Sequence, residues 1–224
     1  MKIIKYDLTN PMYISFFASF LALTGTTAIT LLASFTEEAE ANKYLRSSLI
    51  SETCVNIIAG FTYTYFLKFL ADKKLKLESV TTVRYIDWFL TTPLLLVSFA
   101  LYTGYSRGKD SGLNLIPLTW IVVLDILMLI AGLLGETKVI GKYQGFFLGF
   151  AAFAALIICV YIEYIDVENQ RDKNFTVFVI FAIVWALYGF AYLLNTKWKN
   201  ISYNTLDVIS KAGFGIFIWL STIA

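Results

Sequence analysis

The chain is poor in several residue types that soluble proteins and many enzymes rely on. Among its 224 residues there is no histidine, only two cysteines and only three prolines, and charged residues make up 15%. Soluble domains typically contain about 25% charged residues, so an ordinary soluble domain is excluded. The absence of histidine excludes histidine-based catalytic triads, most zinc sites and histidine proton switches. The net charge of +2 excludes a strongly basic nucleic-acid-binding surface.

Apolar residues are correspondingly abundant, at 58% of the chain, and the mean hydropathy is +0.69. They form seven stretches of about the length that a helix needs to cross a bilayer. Helices satisfy their own backbone hydrogen bonds in lipid, so the sequence predicts an all-α, seven-transmembrane-helix bundle, a single membrane domain over residues 1–224. The predicted spans are Pro11–Phe35, Leu45–Leu70, Val80–Tyr102, Leu113–Leu134, Gly141–Ile162, Phe175–Leu194 and Tyr203–Ile223. Both cysteines, Cys54 and Cys159, are interpreted as buried apolar side chains.

Six charged residues lie inside these predicted spans and away from the last three residues at either end. Each costs roughly 2.5–3.5 kcal/mol to insert near the bilayer centre, so a functional role is the default hypothesis for them. They are Glu52, Arg84, Asp87, Asp125, Asp207 and Lys211.

Lys211 lies near the middle of the seventh span, four residues after Asp207, so both side chains lie on one helix face. A buried lysine can form a structural ion pair, or its amine can form a Schiff base with a carbonyl ligand. Helical periodicity also aligns six residues of the third span along one face. These are Arg84, Asp87, Trp88, Thr91, Leu95 and Ser98.

Two segments carry a specific resemblance. The third span reads RYIDWFLTTPLL over residues 84–95, and the seventh reads LDVISKAGFG over residues 206–215. Together with seven spans, they resemble the microbial (type 1) rhodopsins, and the Asp-Thr-Ser series at Asp87, Thr91 and Ser98 resembles a viral subgroup of that family. The resemblance implies that all-trans retinal is bound covalently as a Schiff base on Lys211.

The resemblance also implies roles in ion transport. Asp87 takes the place of the primary proton acceptor, Asp207 that of the second counterion, and Arg84 that of the arginine below them. Ser98 stands where outward proton pumps usually carry a carboxylic proton donor, and a serine cannot replace it. Glu52 is expected near Ser98, as in viral rhodopsins in which a second-span glutamate donates the proton.

Further positions are expected to hold retinal. Trp88 and Trp185 should sandwich the polyene, and Leu95 occupies a colour-tuning position. Thr92 and a protonated Asp125 should form a pair that links the third and fourth spans. The remaining expected cofactor-binding residues are Met128, Gly132, Tyr188 and Tyr192, and Tyr63 is expected near Asp207.

Two departures from the family pattern concern kinking and proton release. Gly189 occupies the place of the family's sixth-span proline, so the usual kink is in question. Lys199 stands where a proton-release glutamate would be expected. The extracellular glutamate pair is therefore predicted to be absent, and early proton release with it.

The leading functional hypothesis is a light-driven outward proton pump, which is an ion transporter and not an enzyme. The alternatives are a light-gated cation channel whose pore includes Glu52, a light sensor, and a non-photochemical scaffold with a structural Lys–Asp pair. Arg46 matches a residue that lines the pore of pentamers in the viral subgroup, so a homo-pentamer in the lipid bilayer is favoured.

Membrane orientation is predicted in two opposite ways. Ten of the 18 Lys and Arg residues lie in the N-terminus and the loops on its side, against six on the other side. The positive-inside rule therefore places the N-terminus in the cytoplasm. The family places it outside. We follow the family motifs, which are much more specific than this charge count.

Overall fold

A computed structural model of the chain describes residues 10–71, 77–108, 113–165 and 171–223. Their regular structure is helical, without a strand in any of these four ranges, which confirms the all-α prediction. The helices are α1 (Pro11–Ala33), α2 (Glu37–Ala41), α3 (Lys43–Ala71), α4 (Leu77–Ser106), α5 (Leu115–Glu136), α6 (Lys142–Tyr164), α7 (Arg171–Leu193), α8 (Thr196–Asp207) and α9 (Phe214–Leu220), and a π-helical segment, Val208–Gly213, joins α8 to α9.

Seven helical units follow one another around a closed bundle. Helix α1 packs on α3, and each of α3, α4, α5, α6 and α7 packs on the next long helix. The composite of α8, the π-helical segment and α9 packs back onto α1 and closes the ring. The short helix α2 lies in the connection between α1 and α3. The ring encloses a space in which residues from all seven units can meet.

Five of the long helices are long and apolar enough, by length and composition, to cross a membrane. Helix α3 is 29 residues long but less apolar, because its buried face carries Glu52, Thr53 and Asn56. The seventh unit is divided by the π-helical segment and has a polar first half. The prediction that this unit begins at Tyr203 was wrong. It begins at Thr196, where the Asn195 side chain accepts a hydrogen bond from the backbone N–H of Trp198.

The bundle interior combines apolar clusters with buried charged and polar groups, and its outer surface carries many large apolar side chains. Charged and amide side chains are buried in its interior, among them Arg84, Asp87 and Lys211. Large apolar side chains such as Phe61 and Ile116 face outward. The prediction for Cys54 was wrong, because this side chain is exposed among the outward-facing residues of α3, and Cys159 is only half-buried. This distribution is the one expected where the surrounding medium is hydrocarbon.

An ion pair ties α5 to α8 near the end of the bundle where α1 begins. Lys199 Nζ lies 2.6 Å and 2.7 Å from the two carboxylate oxygens of Glu136, and both side chains are largely buried. Position 199 therefore carries a lysine that neutralises a glutamate from another helix. Early proton release remains predicted to be absent.

Replacement of Lys199 by methionine tests the contribution of this ion pair to stability. Lys199→Met leaves the Glu136 carboxylate buried without its cation, so we expect a loss of roughly 3 kcal/mol in the free energy of unfolding. The thermal midpoint of the detergent-solubilised protein is the measurement. Lys197→Met, at an exposed position of the same helix, should leave the midpoint unchanged. Adding Glu136→Gln to Lys199→Met should recover part of the loss, and equal losses in both lysine variants would contradict the assignment.

Candidate functional site

The centre of the site is an ion pair between the seventh helical unit and α4. Lys211 Nζ donates to Asp87 Oδ2 at 2.5 Å and lies 3.8 Å from Asp207 Oδ1. All three side chains are buried. Lys211 belongs to the π-helical segment, and such segments are often found at functional sites. The structure thus brings one lysine together with two aspartates, as the sequence predicted.

Asp207 is surrounded by donors. Its Oδ2 accepts from the Tyr63 hydroxyl at 2.7 Å and from Arg84 Nη1 at 3.0 Å. Its Oδ1 accepts from Trp88 Nε1 at 3.2 Å and from the Tyr188 hydroxyl at 2.8 Å. An ionised carboxylate can only accept hydrogen bonds, so this set of four donors suits the charged form. Tyr63 and Tyr188 therefore help to hold the Asp207 charge in place.

Arg84 is held on the N-terminal side of the two aspartates. Its Nη2 donates to Asn204 Oδ1 at 2.7 Å and lies 3.5 Å from Asn200 Oδ1. Aromatic rings of Phe16 and Phe66 also lie against the guanidinium, with centroids 5.6 Å and 5.2 Å from it. The sequence interpretation missed both asparagines. The spacing of residues 200, 204, 207 and 211 on one helix face could have revealed them.

Asp87 receives its second contact from α3. Thr62 Oγ1 lies 3.2 Å from Asp87 Oδ1 and 3.1 Å from the Ile58 carbonyl oxygen. A single hydroxyl proton can serve only one of these acceptors at a time. Thr91, expected in the active motif, bonds to the backbone carbonyl of Asp87 instead of its carboxylate. Thr62 was not predicted, although it directly precedes Tyr63, which was.

An apolar pocket extends from Lys211 between α4, α5, α6 and α7. It contains about 770 Å³ of space free of protein atoms, a volume that includes the open space at its mouth. Eight of the other expected cofactor-binding residues line it: Trp88, Thr92, Leu95, Met128, Gly132, Trp185, Tyr188 and Tyr192. Lining residues that were not predicted to bind the cofactor include Tyr85, Phe146, Phe150, Phe153, Tyr203 and Ser210.

Asp125 is not among the residues that line the pocket and lies behind Thr92. Thr92 Oγ1 is 2.6 Å from Asp125 Oδ2 and 2.9 Å from the Trp88 carbonyl oxygen. The carbonyl can only accept, so it takes the threonine proton. Both bonds form together if Asp125 is protonated and donates to Thr92. The geometry agrees with the expected neutral pair that links α4 to α5.

Gly189 allows α6 and α7 to approach closely beside the pocket. A side-chain carbon added at Gly189 would clash with the Phe150 ring. Helix α7 continues as an α-helix from Arg171 to Leu193 through this position. The glycine therefore makes room for an aromatic wall of the pocket, which the sequence interpretation did not predict.

Glu52 lies on the opposite side of Lys211 from Arg84. Its side chain is fully buried beside Ser98, as expected, and neither carboxylate oxygen has a hydrogen-bond partner within the described chain. The Ser98 hydroxyl is 2.9 Å from that of Ser48. The polar groups around Lys211 are thus a dense network on one side and, on the other, a buried carboxyl group beside the Ser98 hydroxyl.

Comparison with known proteins identifies the family. The family model described as bacteriorhodopsin-like protein matches residues 15–224. The chain belongs to this family of microbial rhodopsins. The family binds retinal through a Schiff-base lysine, and the apolar helices of this rhodopsin mark it as an integral membrane protein.

Individual relatives match nearly the whole length of the chain, one in structure and two in sequence. The crystal structure of viral rhodopsin OLPVRII superposes with a TM-score of 0.86 at 29% identity, covering 95% of this chain and 97% of that one. Sensory rhodopsin-2 of Haloarcula vallismortis is 29% identical over 218 residues, 90% of this chain and 86% of its own. The green-light absorbing proteorhodopsin of Gamma-proteobacterium EBAC31A08 is 25% identical over 216 residues, 90% of this chain and 84% of its own.

The residues of this rhodopsin fit a long apolar chromophore attached to a lysine. Lys211 is the only lysine among the described residues that line the pocket, and it lies where the pocket meets the two aspartates. The remainder of the pocket is mainly aromatic and aliphatic, with glycines 132, 145, 149 and 189 leaving space between the rings. Lys211 would therefore hold retinal, and Asp87 and Asp207 would balance its positive charge.

Removal of Lys211 tests the attachment. Lys211→Ala should bind no retinal covalently, because no other described lysine reaches the pocket. The measurement is the visible absorption band after retinal is added to the purified protein. Lys68→Ala, at an exposed position of α3, should keep the band. A visible band in Lys211→Ala that hydroxylamine bleaches would contradict the assignment.

Replacement of Thr62 tests its contact with Asp87. In acid, protonation of Asp87 should shift the absorption maximum of the pigment to the red. Asp87→Asn should have the red-shifted maximum at every pH and show no acid-induced colour change. Thr62→Val removes a donor to the ionised carboxylate, so Asp87 should protonate at higher pH. A hydrogen bond to a charged group is worth about 1.5–3 kcal/mol, and competition with Ile58 reduces this to a shift of about one pH unit.

The midpoint of the acid-induced colour change is the measurement for Thr62→Val. Thr64→Val is the matched control, because the Thr64 hydroxyl bonds to the Gly60 carbonyl and its side chain is exposed. Equal midpoints in the two variants would show that Thr62 does not stabilise the Asp87 charge.

Proposed function

We propose that this rhodopsin is a light-driven outward proton pump. The observation that carries the proposal is the 2.5 Å contact between Lys211 Nζ and Asp87 Oδ2, combined with the engagement of Asp207 by Arg84. Asp207 already accepts four hydrogen bonds, whereas the only side-chain donors to the Asp87 carboxylate in the described chain are Lys211 and the shared hydroxyl of Thr62. Asp87 is therefore the better acceptor for a proton that leaves Lys211.

The charges of the site suit this transfer. Lys211 and Arg84 are positive and Asp87 and Asp207 negative, so the buried quartet is neutral overall. Bound retinal supplies light absorption and an isomerisation that changes the environment of the Lys211 nitrogen. The protein supplies Asp87 as the proton acceptor and Arg84 as a cation that keeps Asp207 charged. The Thr62 hydroxyl can turn from Asp87 to the Ile58 carbonyl when Asp87 becomes neutral.

The direction of transport follows from the different surroundings on the two sides of Lys211. On the N-terminal side, Arg84, Asn200 and Asn204 form a polar route from the aspartates toward the end of the bundle. On the other side, Glu52 is fully buried among few polar groups, which suits a group that stores a proton. Asp87 would release toward the N-terminal side, and Glu52 would resupply Lys211 from the other. With the N-terminus outside, as the family resemblance implies, this is outward transport.

Several finer expectations form part of the same proposal. We propose that retinal is all-trans in the dark, that residues 1–224 form one membrane domain, and that the protein assembles as a pentamer. Arg46 is half-buried near one end of α3, where its guanidinium lies 5.8 Å from the centroid of the Phe35 ring. A light sensor is the second candidate function, favoured by the 29% identity to Sensory rhodopsin-2.

Photocurrent under voltage clamp tests the pump. We expect an outward current that keeps its sign at every holding voltage and that is accompanied by acidification of the medium. Asp87→Asn should bind retinal but give no current, because an amide cannot accept and release the transported proton. A current that reverses with voltage would indicate a light-gated cation channel, and a stable pigment without current would indicate a sensor. Acidification on the opposite side would indicate inverted insertion.

A further inference from the structure

A long gap separates Glu52 from the counterion site. Thr62 marks the level of Asp87 on α3, and it lies ten residues beyond Glu52. At 1.5 Å per residue, the two levels are about 15 Å apart along the helix axis. A hydrogen bond spans about 3 Å between heavy atoms, so no direct contact can carry a proton across this distance.

The facing helix provides no amide or carboxyl side chain within this gap. On α4, the residues between Thr91 and Ser98 are TPLLLV. The Thr92 hydroxyl is bonded to Asp125 of α5, and Leu95 is buried in an apolar cluster with Val55 of α3 and Phe99. On the seventh unit, Lys211 is followed by Ala212, Gly213, Phe214 and Gly215. Of these elements, α3 alone places a buried amide in the gap.

That amide belongs to Asn56. Asn56 is fully buried and lies one turn from Glu52, about 6 Å closer to the level of Lys211. Its Nδ2 donates to the Glu52 backbone carbonyl at 2.8 Å, and this bond fixes the orientation of the amide group. A side-chain carbon added at Gly215 would lie 3.4 Å from this Nδ2, so Asn56 packs against the seventh unit one turn beyond Lys211.

Three oxygen atoms in this region lack a hydrogen-bond partner. Asn56 Oδ1, Glu52 Oε1 and Glu52 Oε2 are buried, and the described chain provides no hydrogen bond to any of them. Buried polar atoms of this kind are normally hydrogen-bonded, and internal water is the usual partner where protein groups are not. Thr53 is different, because its hydroxyl is bonded to Thr30 and to the Leu49 carbonyl. The unsatisfied atoms therefore belong to Glu52 and Asn56 specifically.

We propose that Asn56 is a positioning residue that holds internal water between Glu52 and Lys211. This inference rests on the proposed pump with Glu52 as donor. The Glu52 O–H bond breaks, the proton moves through water bound at Asn56 Oδ1, and an N–H bond forms at the Lys211 nitrogen. Glu52 is left as a carboxylate and regains a proton from the aqueous side that it faces. Asn56 neither gains nor loses a proton.

The experiment compares four single variants and one double variant of the full-length protein reconstituted with retinal. Glu52→Gln removes the donor, Asn56→Leu replaces the amide by an apolar group of similar size, and Asn56→Asp retains an acceptor oxygen. Thr53→Val is the matched control, since it removes an equally buried hydroxyl of the same helix turn whose bonds are already made. The kinetic readout is the return of the dark visible band after a flash, with and without azide as a soluble proton donor.

We expect Asn56→Leu to keep the dark absorption maximum and to slow the return of the band by roughly 10–100-fold, with azide restoring much of the rate. Asn56→Asp should be slowed less. The double variant Glu52→Gln/Asn56→Leu should be no slower than Glu52→Gln alone, because both substitutions interrupt one path. Thr53→Val should return at the wild-type rate.

Infrared spectroscopy gives a readout independent of turnover. The carbonyl stretch of protonated Glu52, identified by its loss in Glu52→Gln, should shift in Asn56→Leu and stay in place in Thr53→Val. A path that does not use Asn56 predicts a normal rate and an unmoved carbonyl band in Asn56→Leu, and this result would overturn the inference while leaving the pump intact. Equal slowing in Asn56→Leu and Thr53→Val would also overturn it, because the effect would then be one of packing. A normal rate in Glu52→Gln would instead contradict the proposed donor.

If Asn56→Leu yields no folded pigment, Asn56→Ser takes its place in the same comparison. Serine is smaller than asparagine and retains a hydroxyl that can bind water. The inference then predicts a shifted Glu52 carbonyl band and a return rate between those of wild type and Glu52→Gln. An unshifted carbonyl band with a wild-type rate in Asn56→Ser would overturn the inference.

Discussion

A buried ammonium group is the constraint on which this structure depends. An isolated charge cannot remain in a medium of low dielectric constant, so Lys211 requires carboxylates within a few ångströms. Asp87 and Asp207 provide them. Two carboxylates exceed the single positive charge of Lys211, so a second cation, Arg84, is required. Four ionisable groups on two helical units are therefore tied together by the need for local neutrality, and the helices that carry them are tied together as well.

The rest of the interior orients this charged centre. Asp207 accepts hydrogen bonds from Tyr63, Tyr188 and the Trp88 indole. Asp87 has fewer hydrogen-bond partners. The two aspartates are therefore unequal although both contact the same lysine. In the proposed pump, this inequality would allow Asp207 to keep its charge while Asp87 exchanges a proton. The apolar pocket begins at the same lysine, so a chromophore bound there would lie directly beside the unequal pair.

The sequence predicted much of the fold and of the central site. Residue spacing alone predicted that six residues of the third span share one helix face and that Asp207 lies beside Lys211. The helix geometry determines which side chains share a face. Hydropathy alone failed at the start of the seventh unit. There the helix continues through Lys197, Lys199 and Asn200, whose polar side chains cannot be distinguished from a loop by composition. It also failed for Cys54, since an apolar run in a membrane helix does not reveal which of its faces is buried.

What the sequence by itself determined is the class of protein, the helices, and the identity of the charged residues, because these depend on local composition and on motif spacing within one helix. Only the tertiary structure decided which residues meet from different helices. It brought Thr62 to Asp87, Asn204 to Arg84 and Glu136 to Lys199. It also left Glu52 and Asn56 with unpaired oxygens in the interior. Such contacts depend on the rotation and depth of each helix relative to its neighbours, which follow from packing across the whole bundle and are not encoded in any single segment.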